Sequence, residues 1–201
     1  MSPGPGPHRD VPGLLAAAQA ADPGRPRLTW YAPAQGPGAH ERIELSARVL
    51  VNWVAKTANL LVEELDAGPG TRVALDLPPH WKQVVWALAT WSVGGEVLPA
   101  DASDPDVLVS SRVDARTGPL LVAVALPSLA RRYDPEPPAA WLDWAAEVAG
   151  FAATWDNIAA AMVGAGDDLE QCVRADLEGM AGASVAAYAA YADGLAAVTR
   201  V

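Results

Sequence analysis

Between Arg42 and Asp101 the hydrophobic pattern switches period several times, and this alternation limits the folds open to the chain more than any other feature. Ser46 can cap a helix whose apolar positions Leu50, Val54, Ala58, Leu61 and Leu65 recur at helical spacing. Gly68-Pro69-Gly70 is expected to end it. Val73-Ala74-Leu75-Asp76-Leu77 then reads as a buried strand closed by Pro78-Pro79. A second helix is predicted from about Pro79 to Val93, with Pro in the permitted first turn and Val84, Val85, Leu88 and Trp91 turned inward. Gly94-Gly95 stops it, and Glu96-Val97-Leu98 returns as a strand. Gly94 is expected to hold the left-handed conformation at this boundary, which makes Gly95 the less sensitive of the two. Strands separated by helices in this way call for a parallel sheet covered on both faces.

The flanking segments extend that plan. Residues 1–13 are rich in Pro and Gly and read as a disordered lead. Leu14 to Ala21 is a short Ala-rich helix stopped by Asp22-Pro23-Gly24. Leu28 to Tyr31 and Arg42 to Leu45 form a hairpin around a turn at Pro33 to Gly38. Val107 to Val109 and Leu120 to Leu126 add two strands. Beyond Pro135-Glu136-Pro137-Pro138, Trp141 to Ala161 and Asp167 to Val201 read as helices separated by Gly164-Ala165-Gly166. The expected fold is α/β, a largely parallel sheet with helices on both faces, plus a helical C-terminal extension. The division is a lead over 1–13, an α/β domain over 14–138 and an acidic helical extension over 139–201.

Charge narrows the partners. The net charge is −10, unevenly spread: residues 1–133 carry 13 acids against 12 Lys and Arg, whereas residues 134–201 carry 11 acids against Arg174 and Arg200. Such a balance repels phosphate backbones and anionic lipid, so neither nucleic acid nor membrane is an expected partner. The single Cys172 excludes an intramolecular disulfide and a Cys-cluster zinc site. The run Leu14 to Ala18 is too short for a signal peptide, no span reaches membrane length, and the cytoplasm is the default compartment.

Three local patterns, taken in order, resemble the front of the adenylate-forming enzymes: acyl-CoA synthetases, luciferases and peptide-synthetase adenylation domains. Ser46-Ala47-Arg48-Val49-Leu50, leading to Ala58 and Leu61, resembles their first core motif. Gly68 to Leu75 resembles their entry into a central strand, and Leu88-Ala89, Gly94 and Val97 to Asp101 resemble their second core motif. The wording Asn52 to Leu61 is also similar to a short, uncharacterised actinobacterial family that keeps only this front section. There are departures. Ala47 and Val49 stand where these enzymes usually have Tyr and Glu. No Ser/Thr/Gly-rich phosphate loop with its Lys is present, and neither of the two lysines, Lys56 and Lys82, lies in a glycine loop.

Other constellations yield little chemistry. Gly182-Ala183-Ser184-Val185-Ala186 falls one residue short of a nucleophile elbow and has no His downstream. His8, His40 and His80 have no ligand spacing, so no metal is expected, and Asp167-Asp168-Leu169-Glu170 lacks the alternation of a calcium loop. His80, Trp81 and Lys82 occupy the corner after a central strand, where α/β folds often bind ligands, and are the candidate ligand or partner surface. The alternative is a first helical turn facing solvent. Most of the eight tryptophans are expected in the core. The reading is a non-catalytic remnant of an adenylate-forming fold serving as a binding or protein-interaction module, with no cofactor or catalytic residues. Its alternative is a partial enzyme that binds a small acyl or aryl ligand and needs another chain for nucleotide chemistry. The partner is an unknown protein or such a ligand, and a homodimer is possible.

Overall fold

The computed structural model describes residues 11–32 and 41–155. The predicted turn at 33–38, the start of the lead, the Gly164 to Gly166 break, Cys172 and Ser184 lie outside the described residues.

Helix α1 (Val11–Ala21) precedes an antiparallel hairpin of β1 (Pro26–Tyr31) and β2 (Arg42–Ser46). Helix α2 (Ala47–Leu65) opens on Ser46, whose hydroxyl accepts from the Val49 amide. It closes two residues before Gly68, with Asp66 in the left-handed region at φ 49° and its amide returned to Leu61. After β3 (Arg72–Asp76), α3 (Trp81–Ser92) starts not on a proline but on His80, whose ring nitrogen accepts from the Lys82 amide. Strands β4 (Glu96–Pro99), β5 (Val107–Ser110), β6 (Leu120–Ala123) and β7 (Trp141–Asp143) follow.

These strands form one five-stranded parallel sheet in the order β4-β3-β5-β6-β7. Alternation along each strand divides the packing. Val73, Leu75, Val107, Val109, Val122 and Val124 enter the main core with α1, α2, α3 and Trp144, while Ala74, Leu108, Leu121, Ala123 and Trp141 enter a second cluster on the opposite face. The architecture is therefore α/β, a parallel sheet flanked by helices.

Strand β7 corrects the helix expected from Trp141. Trp141, Leu142 and Asp143 pair with Leu121, Val122 and Ala123, so the sheet continues past Pro138. The Asp143 carboxylate then accepts from the amides of Ala145 and Ala146 and starts a single turn, α4 (Trp144–Glu147), followed by a 3-10 turn over Val148–Gly150. The tryptophans account for the difference: Trp141 fills the second cluster and Trp144 the main core, and burial on two faces outweighs the helical propensity of the neighbouring alanines.

The next segment is strapped to α2. Lys56 Nζ donates to the carbonyls of Ala149 (2.8 Å) and Phe151 (2.6 Å). One turn on, Asn59 Nδ2 donates to those of Ala152 and Thr154, both at 2.9 Å. Two side chains three positions apart on one helix face thus satisfy four carbonyls of an irregular strand of chain.

Candidate functional site

The sheet reverses direction of growth at β3. The chain moves from β3 outward to β4, then resumes on the other side with β5, β6 and β7. The carboxyl ends of β3 and β5 therefore diverge around a crevice, the place where parallel α/β sheets receive ligands. A cavity of about 360 Å³ lies there, lined by Asp76, Leu77, Pro78, Ser111 and Arg112.

Its polar wall is built by strand register. Asp76 and Ser110 are partners across β3 and β5, and the Ser110 hydroxyl donates to Asp76 Oδ2 at 2.7 Å. Arg112, two residues past Ser110, donates through Nη2 to Asp76 Oδ1 at 2.5 Å and through Nε to Oδ2 at 3.3 Å. Burial pushes the Asp76 carboxyl up, but the hydrogen bonds from Arg112 and Ser110 prevail and hold it below its ordinary range. Asp76 is 10% exposed and Arg112 76% exposed, so the carboxylate is fixed while the outer edge of the guanidinium faces solvent. Next to it Arg116 grips Asp114, bringing that carboxyl down to about 2.

The sequence-derived candidates are buried, His80, Trp81 and Lys82 being 6%, 3% and 2% exposed, which corrects both expectations: they form neither a solvent-facing turn nor an open ligand or partner surface. His80 is sandwiched against Trp30, with ring centres 4.3 Å apart, and Trp81 at 5.7 Å. Burial first, then the Lys82 charge, lowers its pKa to about 4, so the ring is neutral and its Nδ1 can accept the Lys82 amide. Trp30 fastens the hairpin to the same corner through Nε1 to the Pro79 carbonyl at 3.0 Å.

Lys82 is the unusual member. Its ammonium donates to the carbonyls of Ala125 (2.5 Å) and Pro127 (2.9 Å), and lies 5.3 and 5.7 Å from the ring centres of Trp81 and Trp144. Burial lowers its pKa to about 8 despite the opposing field of Glu41. Carbonyl dipoles and indole faces take the place of water around the charge. The lysine thus ties the start of α3 to the segment leaving β6, and it does not point into the crevice.

The structure brings together three residues that the sequence reading passed over: Asp76, Ser110 and Arg112. Their only signal was position, a polar residue at the end of each of two apolar strands. Among the described residues no group of three or more His, Cys, Asp or Glu is placed to hold a metal, and no helix is long and apolar enough to cross a membrane.

Comparison with solved structures identifies the scaffold. The acetoacetyl-CoA synthetase of Streptomyces lividans superposes on 71% of this chain with a TM-score of 0.54 at 22% identity, using 25% of its own length. The fold is that of an adenylate-forming enzyme's N-terminal subdomain. The isolated N-terminal subdomain of Klebsiella oxytoca NpsA covers 74% of this chain and 34% of its own, at 13% identity and a TM-score of 0.46. In sequence, the chain is similar to a TIGR03089 family protein of Mycobacterium tuberculosis, 49% identical over 94 residues. That match takes in 47% of this chain and 37% of the relative, so this chain spans little more than a third of the relative's length. No family model matches the chain.

Proposed function

We propose that this chain is a non-catalytic remnant of an adenylate-forming fold that serves as a binding or protein-interaction module in the cytoplasm. The observation that carries the reading is the use made of its lysines. The sequence has two, and each ammonium is bonded to two backbone carbonyls: Lys56 to Ala149 and Phe151, Lys82 to Ala125 and Pro127. Both act as struts. Adenylate formation needs positive charge converging on the transferring phosphates, and that stabilisation provides most of the acceleration in such chemistry. The test is pyrophosphate exchange with ATP and a panel of carboxylic acids. No exchange above a heat-killed control is expected. Exchange that disappears in Lys56→Gln overturns the reading.

A second reading is favoured by the crevice alone. Its volume is at the lower end of the range for small-molecule sites, and the walls are the apolar Leu77 and Pro78 beside the Arg112 guanidinium. A small acyl or aryl ligand suits that combination, with another chain supplying nucleotide chemistry. A thermal-shift titration with acyl and aryl acids tests it: stabilisation that grows with ligand and is lost in Arg112→Ala supports it, and no shift refutes it.

A further inference from the structure

Helix α1 carries no charged residue on any face. Its inner side, Val11, Leu15 and Ala18, is buried, and Ala16, Gln19 and Ala20 lie on the outer side. A surface helix ordinarily sets charged or polar side chains there, and here the outer side is two alanines and one amide. It forms one wall of an open groove of about 680 Å³, completed by Pro23, Val51 of α2, and Ala153, Thr154 and Trp155. No charged side chain lines this groove, although 19% of the chain is charged. The wall at 153–155 is held fast, because Asn59 Nδ2 donates to the carbonyls of Ala152 and Thr154 and Trp155 packs on the main core. The other end of that amide is unsatisfied: Asn59 Oδ1 is buried and has no partner among the described residues. A buried acceptor of this kind calls for a donor.

The chain itself supplies an occupant. From the groove wall at Trp155 it runs on through Asp156 and Asn157 into Ile158-Ala159-Ala160-Ala161-Met162-Val163, and no residue from Asn157 to Gly166 is charged. The steps from Trp155 to Ile158 span up to roughly 10 Å, so this apolar run starts within reach of the groove. We infer that residues 158–163 dock in the groove between α1, Val51 and the wall at 153–155, as an intrachain plug. Ile158 and Met162 fill the space that the alanines of α1 leave open, and a backbone amide of the incoming chain meets Asn59 Oδ1. Tethering selects this segment, because a site joined by a short linker sees its ligand at millimolar effective concentration, and the advantage falls as the linker grows. The other long uncharged run, 179–192, begins beyond Asp167, Asp168, Glu170, Asp176 and Glu178. A second copy of the chain would bring its own segment only at its ordinary concentration. Docking here is independent of the interaction-module reading, and it removes this groove from the surfaces open to a partner.

The experiment uses the full chain with Cys172→Ser, so that only introduced thiols react. Ala20→Cys is combined in turn with Ile158→Cys, Ala160→Cys, Met162→Cys and, for the competing run, Ser184→Cys. Ala115→Cys with Met162→Cys is the control, because the neighbouring Asp114 carbonyl accepts from Trp141 of the second cluster, on the opposite face of the sheet. A short thiol-to-thiol crosslinker is applied at low micromolar protein, and mass spectrometry separates linkage within one chain from linkage between chains. Linkage within one chain is expected from at least one of positions 158, 160 and 162, about tenfold or more above the control. Adding Ala16→Glu puts a charge on the exposed wall of the groove and should cut that yield about tenfold. Circular dichroism verifies that each variant keeps the fold. The plug is overturned by linkage no greater than the control, or by linkage chiefly between chains, which assigns the groove to a second copy. Preferential linkage to position 184, or a yield that Ala16→Glu leaves unchanged, overturns it equally.

Discussion

Replacing Lys82 with methionine should stabilise the fold at neutral pH and destabilise it at alkaline pH. Met retains the length and apolar stem but carries no charge. In the folded chain burial lowers the Lys82 pKa from 10.5 to about 8. The unfolded chain therefore binds more protons between those values, and wild-type stability must rise with pH across that window. Below pH 8 the full penalty is present; above about 10.5 it is gone. At about 1.4 kcal/mol per pKa unit, the penalty is about 3 kcal/mol, most of which is relieved between pH 7 and pH 10. Met removes that penalty but leaves the buried Ala125 carbonyl without its donor, at a cost of about 2 kcal/mol; the carbonyl of the exposed Pro127 can turn to water. Lys82→Met should then be about 1 kcal/mol more stable than wild type at pH 7 and about 1–2 kcal/mol less stable at pH 10. Urea unfolding of both proteins at the two pH values measures this, and groups common to both cancel in the difference. Parallel stability–pH curves would show that the ammonium is solvated and would refute the argument.

Further substitutions probe the rest of the framework. Gly94→Val should destabilise by at least about 1 kcal/mol, because φ is +77° and the new Cβ would come within 3.2 Å of Pro69 Cα. Gly95→Ala is no milder, contrary to the sequence-based expectation: its Cβ would lie 2.8 Å from the Thr71 carbonyl oxygen, and a loss of roughly 1–3 kcal/mol in chemical denaturation is expected. Asn59→Ala should raise hydrogen exchange around Phe151 to Thr154 and lower stability by about 1–2 kcal/mol, since two carbonyls lose their donor. Asp76→Asn should flatten the acid limb of the stability profile. The depressed carboxyl contributes stability that is present above the unfolded carboxylate pKa and lost as pH falls through the folded one, so unchanged acid unfolding would refute the Arg112 pairing.

The parts of the fold legible in the sequence were those set by period and punctuation. Ser46 as a cap, the apolar repeat of α2, the positive φ of Gly94 and the hairpin across Trp30 and Ile43 all follow from local chemistry that needs no distant partner. Strand β7 was hidden because three residues carry no period, and its identity depends on an edge of β6 that lies about twenty positions earlier. The site was half legible. The corner after β3 was marked by its place behind a strand, but whether His80 and Lys82 face water or the interior depends on Trp30, Trp144 and the Ala125 carbonyl, all supplied from elsewhere. Asp76 and Arg112 became a pair only once β3 and β5 were neighbours in register.

The grip of Lys56 and Asn59 on the segment from Ala149 to Thr154 also settles how the molecule bears load. A pull on the chain just after Thr154 is met first by two side chains rooted in a 19-residue helix, before it can reach the three-residue strand β7. Four bonds from two neighbouring side chains share such a pull. The short edge strand is thereby relieved of tension, and the helix, with Trp144 anchored on its Thr57, is the element on which a tug would register.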